Sequence, residues 1–174
     1  MDDAAVVALE LGRAPRAFRR VVRRCPYGRP AVTEQAPYDA AGEPFPTTYY
    51  LTCPHIVTAV SRIEAAGGVE RWSEAAAADP ELRASLATAT EEQRAVRREL
   101  AGGTHGHDDG ASLELGIGGV ATPERLKCLH AHAAYALARP GYLLGERILA
   151  EAEPLWPAEE CCLEALLRRR EASD

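Results

Sequence analysis

Three of the five cysteines lie in short, unusual motifs far apart in the chain. They are Cys25 in Arg24-Cys25-Pro26-Tyr27-Gly28, Cys53 in Leu51-Thr52-Cys53-Pro54-His55, and Cys128 in Lys127-Cys128-Leu129-His130-Ala131-His132. Each falls at a predicted junction between elements and beside a proline or a histidine, which is how a fold gathers soft metal ligands from distant segments. The chemistry this offers is a zinc ion or an iron–sulfur cluster on Cys25, Cys53 and Cys128. His132, His55, Cys161 or Cys162 would supply the fourth ligand. None of these has the compact C-x-x-C spacing that would secure a zinc site by itself.

Two further chemistries compete for the same residues. Cys53 sits where a helix is expected to begin, and the dipole there favours a thiolate that could ligate a metal or act as a nucleophile. With His130 or His132 as its base it would serve a thiol/imidazole enzyme acting on a phosphorylated substrate. Seven arginines lie between Arg13 and Arg29, the densest basic run of the chain. Arg24 among them, with Arg125 and Lys127 after the turn Gly116-Ile117-Gly118-Gly119, could receive phosphate or RNA. A solvated strand face is the commoner explanation of such a run, because charge runs usually face water. The pair Cys161-Cys162 reads either as one further sulfur ligand or as a helix start packed under Trp156. His105-Gly106-His107-Asp108-Asp109 has ligand-like composition, but its glycines argue for a solvated loop.

The elements must position these groups. A helix opening at Thr122-Pro123 and running to about Ala138 puts Cys128 and His132 on one face, four residues apart, and turns His130 by about 200° onto the stripe of Leu126, Ala133 and Leu137. His132 is therefore the expected local partner of Cys128, and His130 reads as a hydrogen-bonded core residue. Upstream, Ala4 to Leu11 suggests a short helix stopped by Gly12. Strands are expected within Arg13 to Cys25, at Ala31 to Ala36 and at Thr47 to Thr52, the last two joined across a Pro-rich loop. Helices follow from Pro54, capped by Thr52 or Cys53, then from about Val69 to Ala78, and from Asp79-Pro80 to Leu100. The face Leu82, Leu86, Ala89, Gln93, Val96, Leu100 suits a partner helix or protein. Residues 101–112 read as a flexible loop. Short helices at about Leu143 to Glu151 and Glu159 to Arg170 complete an α+β chain: a small N-terminal antiparallel β-sheet followed by a mostly helical portion.

At 174 residues, one domain is expected, with its core at about 11–156. Such a chain buries roughly 70% of its unfolded surface, so no metal is needed merely to compensate for a small core. A net charge of −6 argues against wholesale nucleic-acid binding while leaving room for a basic patch. The acidic N-terminus is too short in its apolar run for a signal peptide, and no stretch approaches membrane-spanning length. A cytoplasmic protein is the expectation, and in that compartment an odd number of cysteines reads as thiols or metal ligands.

Taken together, Arg24-Cys25-Pro26-Tyr27-Gly28-Arg29-Pro30-Ala31-Val32, Phe45-Pro46-Thr47-Thr48-Tyr49-Tyr50-Leu51-Thr52-Cys53-Pro54, Ser61-Arg62-Ile63-Glu64, Gly116-Ile117-Gly118-Gly119 and Lys127-Cys128-Leu129-His130 resemble a bacterial family of unknown function, DUF 501. The resemblance runs from about Leu11 to Trp156 and implies a short cytosolic protein without an assigned activity. Its motifs centre on Cys25, Cys53 and Cys128, which strengthens the metal reading. The loop at His105 to Gly110 and the pair Cys161-Cys162 fall outside those motifs.

Overall fold

Local signals set most of the elements. The computed structural model describes residues 2–171. Helix α1 (Asp3–Leu11) precedes strands β1 (Phe18–Arg24), β2 (Pro30–Gln35) and β3 (Tyr49–Leu51), and helices α2 (Pro54–Ala65), α3 (Gly68–Ala78), α4 (Pro80–Ala101), α5 (Leu129–Ala138), α6 (Leu143–Glu151) and α7 (Cys162–Glu171) follow. The fold is α+β, as the sequence pattern implies. The Asp2 carboxylate caps α1 through the Ala5 amide at 2.8 Å, and Gly12 ends it at φ 69°. Asp79 caps α4 through the Glu81 amide at 2.8 Å, with Pro80 in the first turn.

The sheet is antiparallel throughout, in the order β1-β2-β3. Val32 pairs with Leu51 and Glu34 with Tyr49, while the β1–β2 register shifts repeatedly. The doublets Arg19-Arg20 and Arg23-Arg24 break strict alternation, so β1 becomes a bulged, arginine-bearing edge. Every residue of central β2 is buried, so both of its faces are covered. Much of the arginine run is spent holding this region together. Arg20 grips Glu34 with two hydrogen bonds of 2.9 and 3.0 Å, Arg24 ties β1 to Asp3 of α1 at 2.7 Å, and Arg29 reaches Glu164 of α7 at 3.3 Å.

Helix α5 occupies the centre. Its sequence, LHAHAAYALA, is apolar nearly all round, and Leu129 and Ala131 through Ala136 are buried. It packs against β3, α2 and α6. Full burial of Ile56, Val60, Leu129, Leu144 and Ile148 contributes roughly 1.5–3 kcal/mol each. Contact with α6 is close at Gly145, where a Cβ would lie 2.7 Å from both the Ala136 methyl and the His132 carbonyl. Glycine is required there by space alone.

On α4 the packing differs from the sequence expectation, and the Gly-, His- and Asp-rich loop after it carries short turns. On α4 the buried stripe runs Leu82, Leu86, Ala89, Gln93 and then Arg97 and Ala101, leaving Val96 and Leu100 half-exposed. Arg97 is drawn inward because its Nη1 donates to the Phe45 carbonyl at 3.0 Å, an acceptor of the loop between β2 and β3. The helix packs on α3 and α6, so its apolar face is spent inside the molecule. Residues 102–115 wind into two 3-10 turns, Gly106–Asp108 and Ala111–Glu114. The Asp108 carboxylate accepts from the Ser112 amide at 2.7 Å, and the His107 amide donates to Gly42 at 3.0 Å. Among the described residues, no helix is long and apolar enough to cross a membrane.

Candidate metal centre

The start of α5 is fixed by a residue far upstream. Glu64, in the last turn of α2, accepts the Leu129 amide on Oε1 at 2.6 Å, an N-terminal cap supplied from another helix. The helix therefore begins at Leu129, and Cys128 is its extended flanking residue at φ −153° and ψ 116°. Residues 119–128 form turns, in which the Leu126 amide donates to Ser73 Oγ at 3.2 Å and the Arg125 amide to the Thr122 carbonyl at 3.1 Å.

This corrects the expected pairing. Cys128 lies outside the helix, so the four-residue spacing to His132 has no geometric meaning, and His130 in the first turn swings beside it instead. His130 Nδ1 lies 3.2 Å from Glu64 Oε1 and 3.8 Å from Cys128 Sγ. Its Nε2 lies 3.1 Å from the Val57 carbonyl and 3.2 Å from Ser61 Oγ. The carbonyl can only accept, so Nε2 carries a proton and Nδ1 is the nitrogen presented to the thiol and the carboxylate. Burial pulls the His130 pKa down, but the Cys128 sulfur, the Glu64 carboxylate and the Val57 carbonyl outweigh it and bring it to about 9. Among the described residues, Glu64, Cys128 and His130 are the only group of three or more His, Cys, Asp or Glu donors with ligand atoms within 4.8 Å of one another.

The remaining sulfurs lie elsewhere. Cys53 Sγ is 3.5 Å from Cys162 Sγ, and Cys25 and Cys161 are buried. Cys25 is locked in the turn after β1, its amide donating to Arg29 and its carbonyl accepting from Gly28, both at 2.9 Å. Cys25 and Cys53 thus do not join Cys128 in one donor group. His132 is fully enclosed 2.7 Å from the Tyr142 hydroxyl, and burial pushes its pKa down to about 3, so it is a neutral core histidine. Of the expected anion site, Arg24 is bound to Asp3, while Arg125 and Lys127 are exposed. The glycine turn before them closes on itself, Gly116 donating to Val120 at 2.8 Å and Gly119 to Gly116 at 3.0 Å. Gly118 and Gly119 take positive φ, and side chains there would meet Ala131 and Pro46.

A cavity of about 520 Å³ opens over Cys128 and His130, with Glu10, Tyr49, Thr52 and Val57 among its walls. Burial, helped by the charge of Cys162, raises the Glu10 carboxyl to about 7 against the opposing pull of the Thr52 hydroxyl and Arg29. Sequence reading missed Glu10 and the role of Glu64. A signal for Glu64 was present: Val57, Ser61 and Glu64 follow 4,3 spacing on α2, and all three touch His130.

Fold and site define an α+β protein with a mixed carboxylate, thiol and imidazole donor set beside a small-molecule-sized cavity. The family model described as a protein of unknown function (DUF501) matches residues 21–150, most of the chain, and the protein belongs to that family. Glu64, Cys128 and His130 lie inside the matched region, and Cys161 and Cys162 beyond it. No curated protein and no solved structure matches the chain.

Proposed function

We propose that this is a metal-binding protein in which Glu64, Cys128 and His130 hold one divalent ion, zinc by the character of its donors, next to the cavity. The observation that carries the reading is the spacing of the three ligand atoms. A tetrahedral zinc with ordinary bond lengths sets a nitrogen and an oxygen ligand about 3.4 Å apart and a nitrogen and a sulfur about 3.6 Å apart. The corresponding distances here are 3.2 and 3.8 Å, and the Glu64 oxygen lies within 4.8 Å of the Cys128 sulfur. The Val57 carbonyl and Ser61 hydroxyl hold the far side of the imidazole and aim Nδ1, the supporting contact that ligating histidines usually have. Three protein ligands leave a position for water or a small ligand, the pattern of reactive rather than purely structural zinc. A lone thiolate in a mixed donor set suits a single ion better than an iron–sulfur cluster, which is held mainly by several thiolates.

A thiol–imidazole–carboxylate relay on the same residues would need the sulfur on one ring nitrogen and the carboxylate on the other. Here Nδ1 faces both, and Nε2 is occupied by Val57. In the metal-free protein Nδ1 holds a proton between the carboxylate and the thiol, and a metal ion would take that proton's place, meeting all three donors at once.

The test is elemental analysis of protein refilled with zinc after chelation, together with the absorption spectrum of the cobalt-substituted form. One equivalent of metal and a thiolate-to-cobalt band are expected in wild type, both lost in Cys128→Ser and retained in Cys25→Ser. Metal content indifferent to Cys128→Ser and His130→Gln would overturn the assignment.

A further inference from the structure

Cys53 and Cys162 are 109 residues apart in the chain, yet their sulfurs are 3.5 Å apart, in van der Waals contact. Cys53 flanks the start of α2, and Cys162 opens α7, so each sulfur lies at the positive end of a helix. Their exposure differs. Cys53 is only 2% exposed, whereas Cys162 is half-buried and lines a cleft of about 520 Å³ with His55, Arg62, Pro154 and Glu160. One thiol is reachable by a small molecule, and the other waits behind it.

We propose that Cys162 and Cys53 form a redox-active dithiol, with Cys162 as the attacking and Cys53 as the resolving sulfur, whose substrate class is the disulfide of a low-molecular-weight thiol. The Cys162 thiolate attacks one sulfur of the small disulfide and forms a mixed disulfide, expelling the first thiolate. Cys53 then gives up its proton and attacks the Cys162 sulfur, expelling the second. Two electrons pass from the protein dithiol to the small disulfide, which leaves as two thiols, and the protein keeps a Cys53–Cys162 bond. Forming it needs the sulfurs to close from contact to about 2.05 Å.

The acid–base balance of the pair agrees with these roles. With Cys53 as the donor in the sulfur–sulfur contact, that contact, reinforced by the His55 amide and side chain against the cost of burial, lowers Cys162 to about 6. Cys53 is pushed up by the same contact and by burial. A thiol ionised near neutral pH attacks, and a protonated neighbour resolves. None of Glu64, Cys128 or His130 takes part in the exchange, although Glu10, a wall of the cavity over Cys128 and His130, feels the charge of Cys162. The new bond would fasten α7, already tied by the ion pair between Arg29 and Glu164 to the turn between β1 and β2, to the residue that flanks the start of α2.

The experiment is titration of the reduced full-length protein with oxidised glutathione, followed by non-reducing peptide mapping. In wild type, loss of two hydrogens and a Cys53–Cys162 linked peptide are expected. Cys53→Ser should stop at a stable glutathione adduct on Cys162, Cys162→Ser should give neither product, and Cys161→Ser should behave as wild type. In reduced wild type, iodoacetamide near neutral pH should label Cys162 about tenfold faster than Cys25 or Cys161. A Cys161–Cys162 link in place of the expected one, or a persistent adduct on wild-type Cys162, would overturn the assignment, and the mapping does so without relying on any variant folding.

Discussion

Glu64 and Leu129 are 65 residues apart in sequence and joined by a 2.6 Å hydrogen bond from the Leu129 amide to the Glu64 carboxylate. The same oxygen lies 3.2 Å from His130 Nδ1. One carboxylate thus starts the central helix and completes the donor set, which links the fold of α5 to the chemistry at its end.

Those two roles separate by substitution. Glu64→Ala removes the cap and should destabilise metal-free protein by about 1–2 kcal/mol in urea denaturation. Glu64→Gln keeps an oxygen for the Leu129 amide and should cost less than Glu64→Ala, while zinc affinity drops by more than the roughly 10–100-fold that loss of an outer contact costs. Equal zinc affinity in wild type and Glu64→Gln would remove Glu64 from the donor set.

Glu10 sets a pH dependence. Its carboxyl is raised from 4.5 to about 7, so the folded chain holds this proton more tightly than the unfolded one. The stability it contributes is complete below about pH 4.5, falls as pH rises toward 7 and is flat above it. Glu10→Gln stays neutral and escapes the loss. Thermal melts should show the variant more stable than wild type at pH 8 and close to it at pH 5. The same difference at both pH values would mean that Glu10 is not the titrating group.

The elements with local signals were legible: Pro54 after Cys53, Asp79 before Pro80, and the Val- and Thr-rich strands each carry their own instructions. The start of α5 was not. Thr122-Pro123 is a sound local helix signal, but Ser73 takes the Leu126 amide and Glu64 takes the Leu129 amide, so tertiary partners move the helix start to Leu129. That shift exchanges His132 for His130 as the neighbour of Cys128. The motif around Cys128 was readable as a site, whereas its partners depended on a contact between α2 and α5 that no local spacing reveals.

Packing of α6 on α5 gives a sharp test at Gly145. Alanine is favoured over glycine inside a helix by about 1 kcal/mol, so propensity alone makes Gly145→Ala stabilising. A Cβ there would meet the Tyr142 ring at 2.5 Å and the Ala136 methyl and His132 carbonyl at 2.7 Å. Overpacking costs about 1–3 kcal/mol and wins. Denaturation should show a net loss, and relief by Ala136→Gly in the double variant would identify the helix contact as its source.

Arg97 separates the worth of volume from that of charge in this core. It is fully buried, its Nη1 donates to the Phe45 carbonyl at 3.0 Å, and its Nε and Nη2 have no hydrogen-bond partner among the described residues. Burial lowers its pKa, partly offset by Tyr38 and Asp108. Removing a desolvated charge that is only partly bonded recovers much of what its hydrogen bond contributes, provided the space stays filled. Arg97→Met should therefore fall within about 1 kcal/mol of wild type in urea denaturation, whereas Arg97→Ala, which leaves a void beneath the loop between β2 and β3, should lose about 2–4 kcal/mol. Equal losses in the two variants would mean that the guanidinium bond to Phe45, not the volume, holds that loop in place.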